Sequence, residues 1–345
     1  MTVYPTFRIV VQVGMIIENA GVADQKGQQM HDYLINLVAR ICDRSEELHN
    51  GQTISWQALR EAERIANHAY IPSLYQYIDQ EPDKDKRKAA CFIISQISKN
   101  TSDPEVIRFL LDRLKIEQDA DIVTAIQQNL ETGLSIPGYI NLEPLFNNAL
   151  SINNNVRRSA LLALRRTSNP SVEEWALTLL KRTVNEYDIY YITLLLSKVG
   201  TQKSVSALRR LLEYHRQDVK SLAFAAIADI EKEKEAMFYM RCLQRGQLKF
   251  EAMEAIYKYA DENAIQAVTS RITELLSKRR SSARTTIETV KNGFTDLMLG
   301  MEFLFRFRTA KSDVRKTFSW ITEKRSEYLL PQEQEWINRN LRITN

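Results

Sequence analysis

The chain has 345 residues, of which 44% are apolar and 26% charged, and a formal net charge of +4. This is ample apolar content for a core and too little charge for a disordered polyelectrolyte, and no apolar run reaches the roughly 18 residues of a membrane helix. The start "MTVYPTFRIVVQVG" lacks the basic stretch and clean apolar block of a secretion signal, so a cytoplasmic protein without membrane contact is expected.

In chain order, "TFRIVVQVGMII" comes first; Phe7, Ile9, Val11 and Val13 alternate like a strand but fit a buried helix equally well. "QQMHDYLINLVARICDRSEEL" and "SWQALREAERIANHAY" follow as amphipathic helices, making residues 1–67 a helical cap. From residue 68 one frame recurs. Asn155 precedes Val156, with Ala160, Ala163 and Leu164 at helical spacing; Asp218 precedes Val219, with Ala223, Ala226 and Ile227; Gln247 precedes Leu248, with Ala252, Ala255 and Ile256. Looser copies begin at Asp188–Ile189, Asp121–Ile122 and Asp85–Lys86. The residue after the polar one serves as origin, at 86, 122, 156, 189, 219 and 248.

Each copy has a physical reading: the polar residue caps the first turn, and positions 0, +4, +7 and +8 form one buried stripe. Each such helix is preceded by another, with apolar sets such as Ile107, Leu110, Leu111, Leu114 and Met237, Met240, Leu243. Pro104 and Pro170, after Asp103 and Asn169, mark helix starts. Six hairpins over residues 68–261 cannot bury their faces singly and must stack. Residues 262–345 form a second helical cap, and from Arg271 onward the chain carries 15 Lys/Arg against 9 Asp/Glu, so its basic excess is local.

"NNNVRRSALLAL" and "DVKSLAFAAI" resemble the second helix of the HEAT-repeat family, in a short-repeat variety. The resemblance implies an all-α, right-handed α-solenoid whose second helices line a concave groove. It also implies that the basic residues at +1, Arg87, Arg157, Lys220 and Lys249, pair with acidic groups of adjacent units.

Chemistry-bearing motifs are absent. No phosphate-cradling glycine loop, His-Glu-x-x-His, Cys-x-x-Cys or Gly-x-Ser-x-Gly occurs, and the four histidines are scattered. Cys42, Cys91 and Cys242 lie far apart and read as reduced thiols. Neither catalytic residues nor a metal or cofactor site is assigned.

At 100° per residue, +2 and +9 lie opposite the buried stripe. These positions and their neighbours give the candidate binding residues: Lys88, Arg158, Arg165, Tyr191, Lys198, Phe250 and Tyr257, with Leu162 and Leu195 beside them at +6. Positions +5 and +6 are unusually apolar for a solvated face. The expected function is therefore a non-catalytic binding protein, monomeric when free, holding a protein partner in its groove; a bacterial toxin-neutralising immunity protein is one specific case. The alternative is nucleic-acid binding, including the DNA glycosylases that are built from HEAT-like repeats.

Overall fold

The computed structural model describes residues 31–45, 48–49, 52–133, 135–278, 290–291 and 293–341. The ambiguous segment at residues 7–13 lies outside them. Contacts divide the chain into two compact units, Met1–Pro170 and Ser171–Asn345, and each is all-α.

The first unit contains α1 (31–41), α2 (Ile54–Ala62), α3 (Ile71–Gln80), α4 (Lys84–Thr101), α5 (Pro104–Ile116), α6 (Ala120–Gly133), α7 (Glu143–Asn148) and α8 (Asn154–Leu164). A two-residue antiparallel ladder, β1 (Leu48–His49) with β2 (Gln52–Thr53), precedes α2. α3 packs on α4, α4 on α6, α6 on α8, and α5 on α7.

The second unit contains α9 (Ser171–Arg182), α10 (Glu186–Val199), α11 (Gln202–Leu211), α12 (Gln217–Glu231), α13 (Ala236–Arg245), α14 (Lys249–Tyr259), α15 (Ile265–Leu275), α16 (Asp296–Phe305), α17 (Ser312–Lys324) and α18 (Pro331–Leu341). A second short ladder, β3 (Val290–Lys291) with β4 (Phe294–Thr295), leads into α16. Here α10 packs on α12, α12 on α14 and α14 on α16, while α9 packs on α11 and α13 on α15. Within each unit, then, alternate helices lie against one another.

The apolar stripe read from sequence is the buried one. Val156, Ala160, Ala163 and Leu164 of α8 are buried, as are Val219, Ala223, Ala226 and Ile227 of α12 and Leu248, Ala252, Ala255 and Ile256 at α14. Removing each of the larger side chains from water contributes about 1.5–3 kcal/mol, while the alanines let neighbouring backbones approach. Gly300 serves the same end in α16: a Cβ there would sit 3.2 Å from the Ile272 side chain and 3.3 Å from that of Met253. One first-helix assignment fails. Met237 is 67% exposed, and its place in the core is taken by Tyr239, whose hydroxyl donates to the Lys232 carbonyl at 2.9 Å.

The helix caps differ from the sequence reading in an informative way. The capping side chain stands three residues before the origin, not one. Asp83 accepts from the N–H groups of Asp85 (2.8 Å) and Lys86 (3.2 Å), Asp119 from those of Asp121 (2.9 Å) and Ile122 (3.2 Å), and Asn153 from those of Asn155 (2.9 Å) and Val156 (3.3 Å). These are the second and third amides of each helix, the ones a cap oxygen can reach. In α10 the cap is Asn185, which accepts from Tyr187 (3.0 Å) and Asp188 (3.2 Å). Its origin is therefore Asp188, one residue earlier than the apolar pattern suggested. Pro104 does open α5 behind its cap Asp103, which accepts from the Glu105 N–H at 2.9 Å.

Candidate functional site

Each unit carries an outward row of residues on its stacked helices. In the first unit Lys88, Arg158, Leu162 and Arg165 are all half-buried. Lys88 reaches Asp85 one turn back at 2.8 Å, and Arg165 approaches Glu131 of the neighbouring helix α6 at 3.8 Å. The apolar character at +5 has a different cause from the one expected. Cys91, Gln127 and Leu161 are all buried, because α4, α6 and α8 pack directly on one another and +5 points into that contact. Burial pushes the Cys91 thiol up to about 12, so it stays protonated and unreactive. Gln127 accepts the Ser159 hydroxyl at 2.6 Å, a buried polar link between α6 and α8. Ser95, expected outward at +9, is buried too and donates to the Cys91 carbonyl at 2.8 Å.

The +1 arginines hold the scaffold. Arg157 donates through Nη1 to the carbonyls of Ser151 (2.6 Å) and Ile152 (3.3 Å), in the turn that precedes its own helix. Arg87 does the same with Glu81 (3.0 Å) and Pro82 (2.8 Å). Arg87 also lies 3.5 Å from Glu117, which Arg113 approaches at 3.3 Å while reaching Asp79 at 2.6 Å. The ladder between successive hairpins is thus partial: Lys249 pairs with Glu274 at 2.8 Å and Lys220 reaches Gln247 at 3.5 Å, but Arg157 serves its own turn.

In the second unit, Phe250 and Tyr257 stand seven residues apart on one face of α14, half-exposed above the core cluster against which they pack. The Arg306 guanidinium lies 4.4 Å from the Tyr257 ring centre, and Lys258, 3.0 Å from Glu254 and 4.0 Å from Asp229, gives a charged edge beside it; Asp229 also accepts the Tyr259 hydroxyl at 2.7 Å. Burial and that hydrogen bond push the Tyr259 hydroxyl up to about 12. The one-residue shift of α10 alters three assignments. Leu195 is fully buried and offers no surface; Leu194 takes its half-exposed place. Tyr191 is half-buried, edge-on to Tyr190 at 5.4 Å, and Lys198 is exposed, but Tyr190 and Ser197 occupy the +2 and +9 positions of the corrected frame. Ala228, expected outward, is buried within the same core cluster as Phe224 and Tyr239.

A further feature lies among the last helices of this unit, where a cavity of 1240 Å³ is bordered by α17, α18 and the segment after α16. Phe318, Leu329 and Ile337 line it, with Arg308 and Arg315 among its polar groups. Its sequence signal is another copy of the frame: "SDVRKTFSWI" places Val314 at the origin, Arg315 at +1, and buried Phe318 and Ile321 at +4 and +7. Arg315 repeats the behaviour of Arg87 and Arg157, donating to the carbonyls of Arg308 (3.4 Å) and Thr309 (2.8 Å) in the preceding turn.

Among the described residues no group of three or more His, Cys, Asp or Glu is placed to hold a metal ion, and no helix is long and apolar enough to cross a membrane. Comparison of the chain with models of known protein families gives no match, and comparison with curated proteins gives none.

Proposed function

We propose that the protein is a non-catalytic binding protein that holds a protein partner on the outward row of its second helices. Its hairpins are read as short HEAT-like repeats, stacked in the right-handed, concave manner of an α-solenoid within each unit. One observation carries the functional reading: Phe250 and Tyr257 share one face of α14, two turns apart and half-exposed over the core, with Arg306 over one ring and a charged edge of Lys258, Glu254 and Asp229 beside them. Aromatic anchors and a stacked arginine inside a polar rim are what concentrates binding energy at a protein interface. The border is charge-balanced through Asp229 and Glu254, which suits a protein surface better than a run of phosphates. In this reading the chain is monomeric when free and works in the cytoplasm, and a toxin-neutralising role is one specific form of it.

The experiment is affinity capture from the native host, followed by titration of the recovered ligand. Phe250→Ala/Tyr257→Ala should weaken a protein partner by about 2 kcal/mol or more, whereas Arg158→Glu/Arg165→Glu should mainly slow association. Tight binding of duplex DNA, falling steeply with salt and abolished by the arginine pair alone, would replace this reading with nucleic-acid binding.

A further inference from the structure

The cavity bounded by α17 and α18 shares no residue with the row around Tyr257. Its lining is mixed: Phe318 and Ile337, both buried, and half-buried Leu329 and Leu341 supply apolar patches among polar side chains that include Ser319, Thr322 and Asn338. Two guanidiniums stand on its border with fixed geometry. Arg308 lies 3.9 Å from the Phe305 ring centre and donates through Nη1 to the Asn340 carbonyl at 3.2 Å, while Arg315 is held by the two carbonyls named above. Among the described residues neither is paired with a carboxylate. A guanidinium has five N–H donors, so each has several left over.

From this we propose that the cavity binds an acidic, amphipathic peptide segment of a partner protein. Apolar side chains would meet Phe318, Leu329, Ile337 and Leu341, and carboxylates would meet Arg308 and Arg315. Charge complementarity favours this occupant. An adjoining hollow that shares Arg315, Ser319 and Glu323 with the cavity adds Lys324 and Lys316, the latter paired with Asp313 at 3.2 Å; Glu323 is the one acid lining the two, so cations outnumber acids there. Carboxylates are the groups that bind guanidinium with charge-assisted, two-point hydrogen bonds, and arginines already held in place lose little freedom on binding. The volume exceeds the roughly 300–1,000 Å³ of a small-molecule pocket and suits a stretch of chain. The apolar patches between the two guanidiniums and the other polar groups have no use for a phosphate backbone, and a recessed surface does not meet a flat lipid headgroup layer.

The test is selection of a displayed library of random peptides on the full-length chain, with the chain bearing R308E/R315E as counter-target. Enriched sequences should combine Asp or Glu with large apolar residues. A labelled synthetic copy should lose at least about tenfold in affinity against R308E/R315E, and its Glu-to-Lys counterpart should bind that variant better than the wild-type chain. T322W, which puts an indole into the cavity and leaves both guanidiniums in place, should weaken the peptide as well and keeps the test valid if the charge-reversed chain folds poorly. Any of three results would overturn the proposal: no enrichment, enrichment of neutral or basic peptides, or affinity indifferent to both variants. Binding to phosphatidylserine vesicles that the peptide does not compete away would assign the surface to lipid instead.

Discussion

Glu173 on α9 accepts the backbone N–H of Thr201 at 2.7 Å, so a carboxylate from one hairpin holds the N-cap residue of the first helix of the next. The Thr201 hydroxyl (2.9 Å) and the Ser204 hydroxyl (2.6 Å) donate to it as well. Burial raises the carboxyl pKa, but these hydrogen bonds outweigh it and hold the group below the usual carboxylate range. A depressed folded-state pKa contributes stability that is present above the unfolded value, about 4.3, and is lost as pH falls through the folded one. Glu173→Gln should therefore be less stable than the wild type at neutral pH and lose less on acidification. Urea melts at neutral pH and below pH 4 would show this, and parallel losses in both proteins would count against the assignment.

Glu117 joins Arg87 and Arg113, and all three are largely buried. Removing the carboxylate leaves two guanidiniums in a desolvated site without their shared partner. Glu117→Ala should cost about 3–5 kcal/mol, while Glu117→Met combined with Arg87→Met should cost much less. Thermal denaturation of the three chains decides it.

α12 offers a packing test with an internal control. Ala223 and Ala228 are both buried, so Ala223→Leu and Ala228→Leu should each cost about 1–3 kcal/mol through overpacking. Ala225→Leu, at a half-exposed position, should be nearly neutral. Equal melting temperatures for all three would mean that the face of α12 is wrongly assigned.

Lys232 has φ 51° and ψ −130°, a region that suits glycine, and its carbonyl is held there by the buried Tyr239 hydroxyl. Lys232→Gly should stabilise the protein by about 1 kcal/mol, measured as a shift in urea midpoint without change of slope.

Much of the fold was legible because burial imposes its own period: Val156, Ala160, Ala163 and Leu164 needed no neighbour to be recognised as one face. The caps were misplaced because "DKD", "DAD" and "NNN" repeat a capping residue two positions apart, and only backbone geometry selects the earlier one. α10 slipped by one because "DIYYITLLLS" is apolar nearly all round, leaving periodicity without contrast. The apolar +5 positions looked like binding surface because direct stacking of alternate helices is a tertiary fact. Arg315 carried the motif's own spacing, whereas the cavity beside it depends on how α17 and α18 close and has no linear signature.

Cys91 gives the first unit a built-in clock. Its thiol, fully buried and protonated on α4, reacts with an alkylating reagent only during the moments when α4 comes away from its neighbours. The ratio of its labelling rate to that of the same thiol in unfolded chain reads the free energy of that opening directly. Half-buried Cys42 and Cys242, which need smaller excursions, would be consumed first and can be replaced by serine to leave a single reporter.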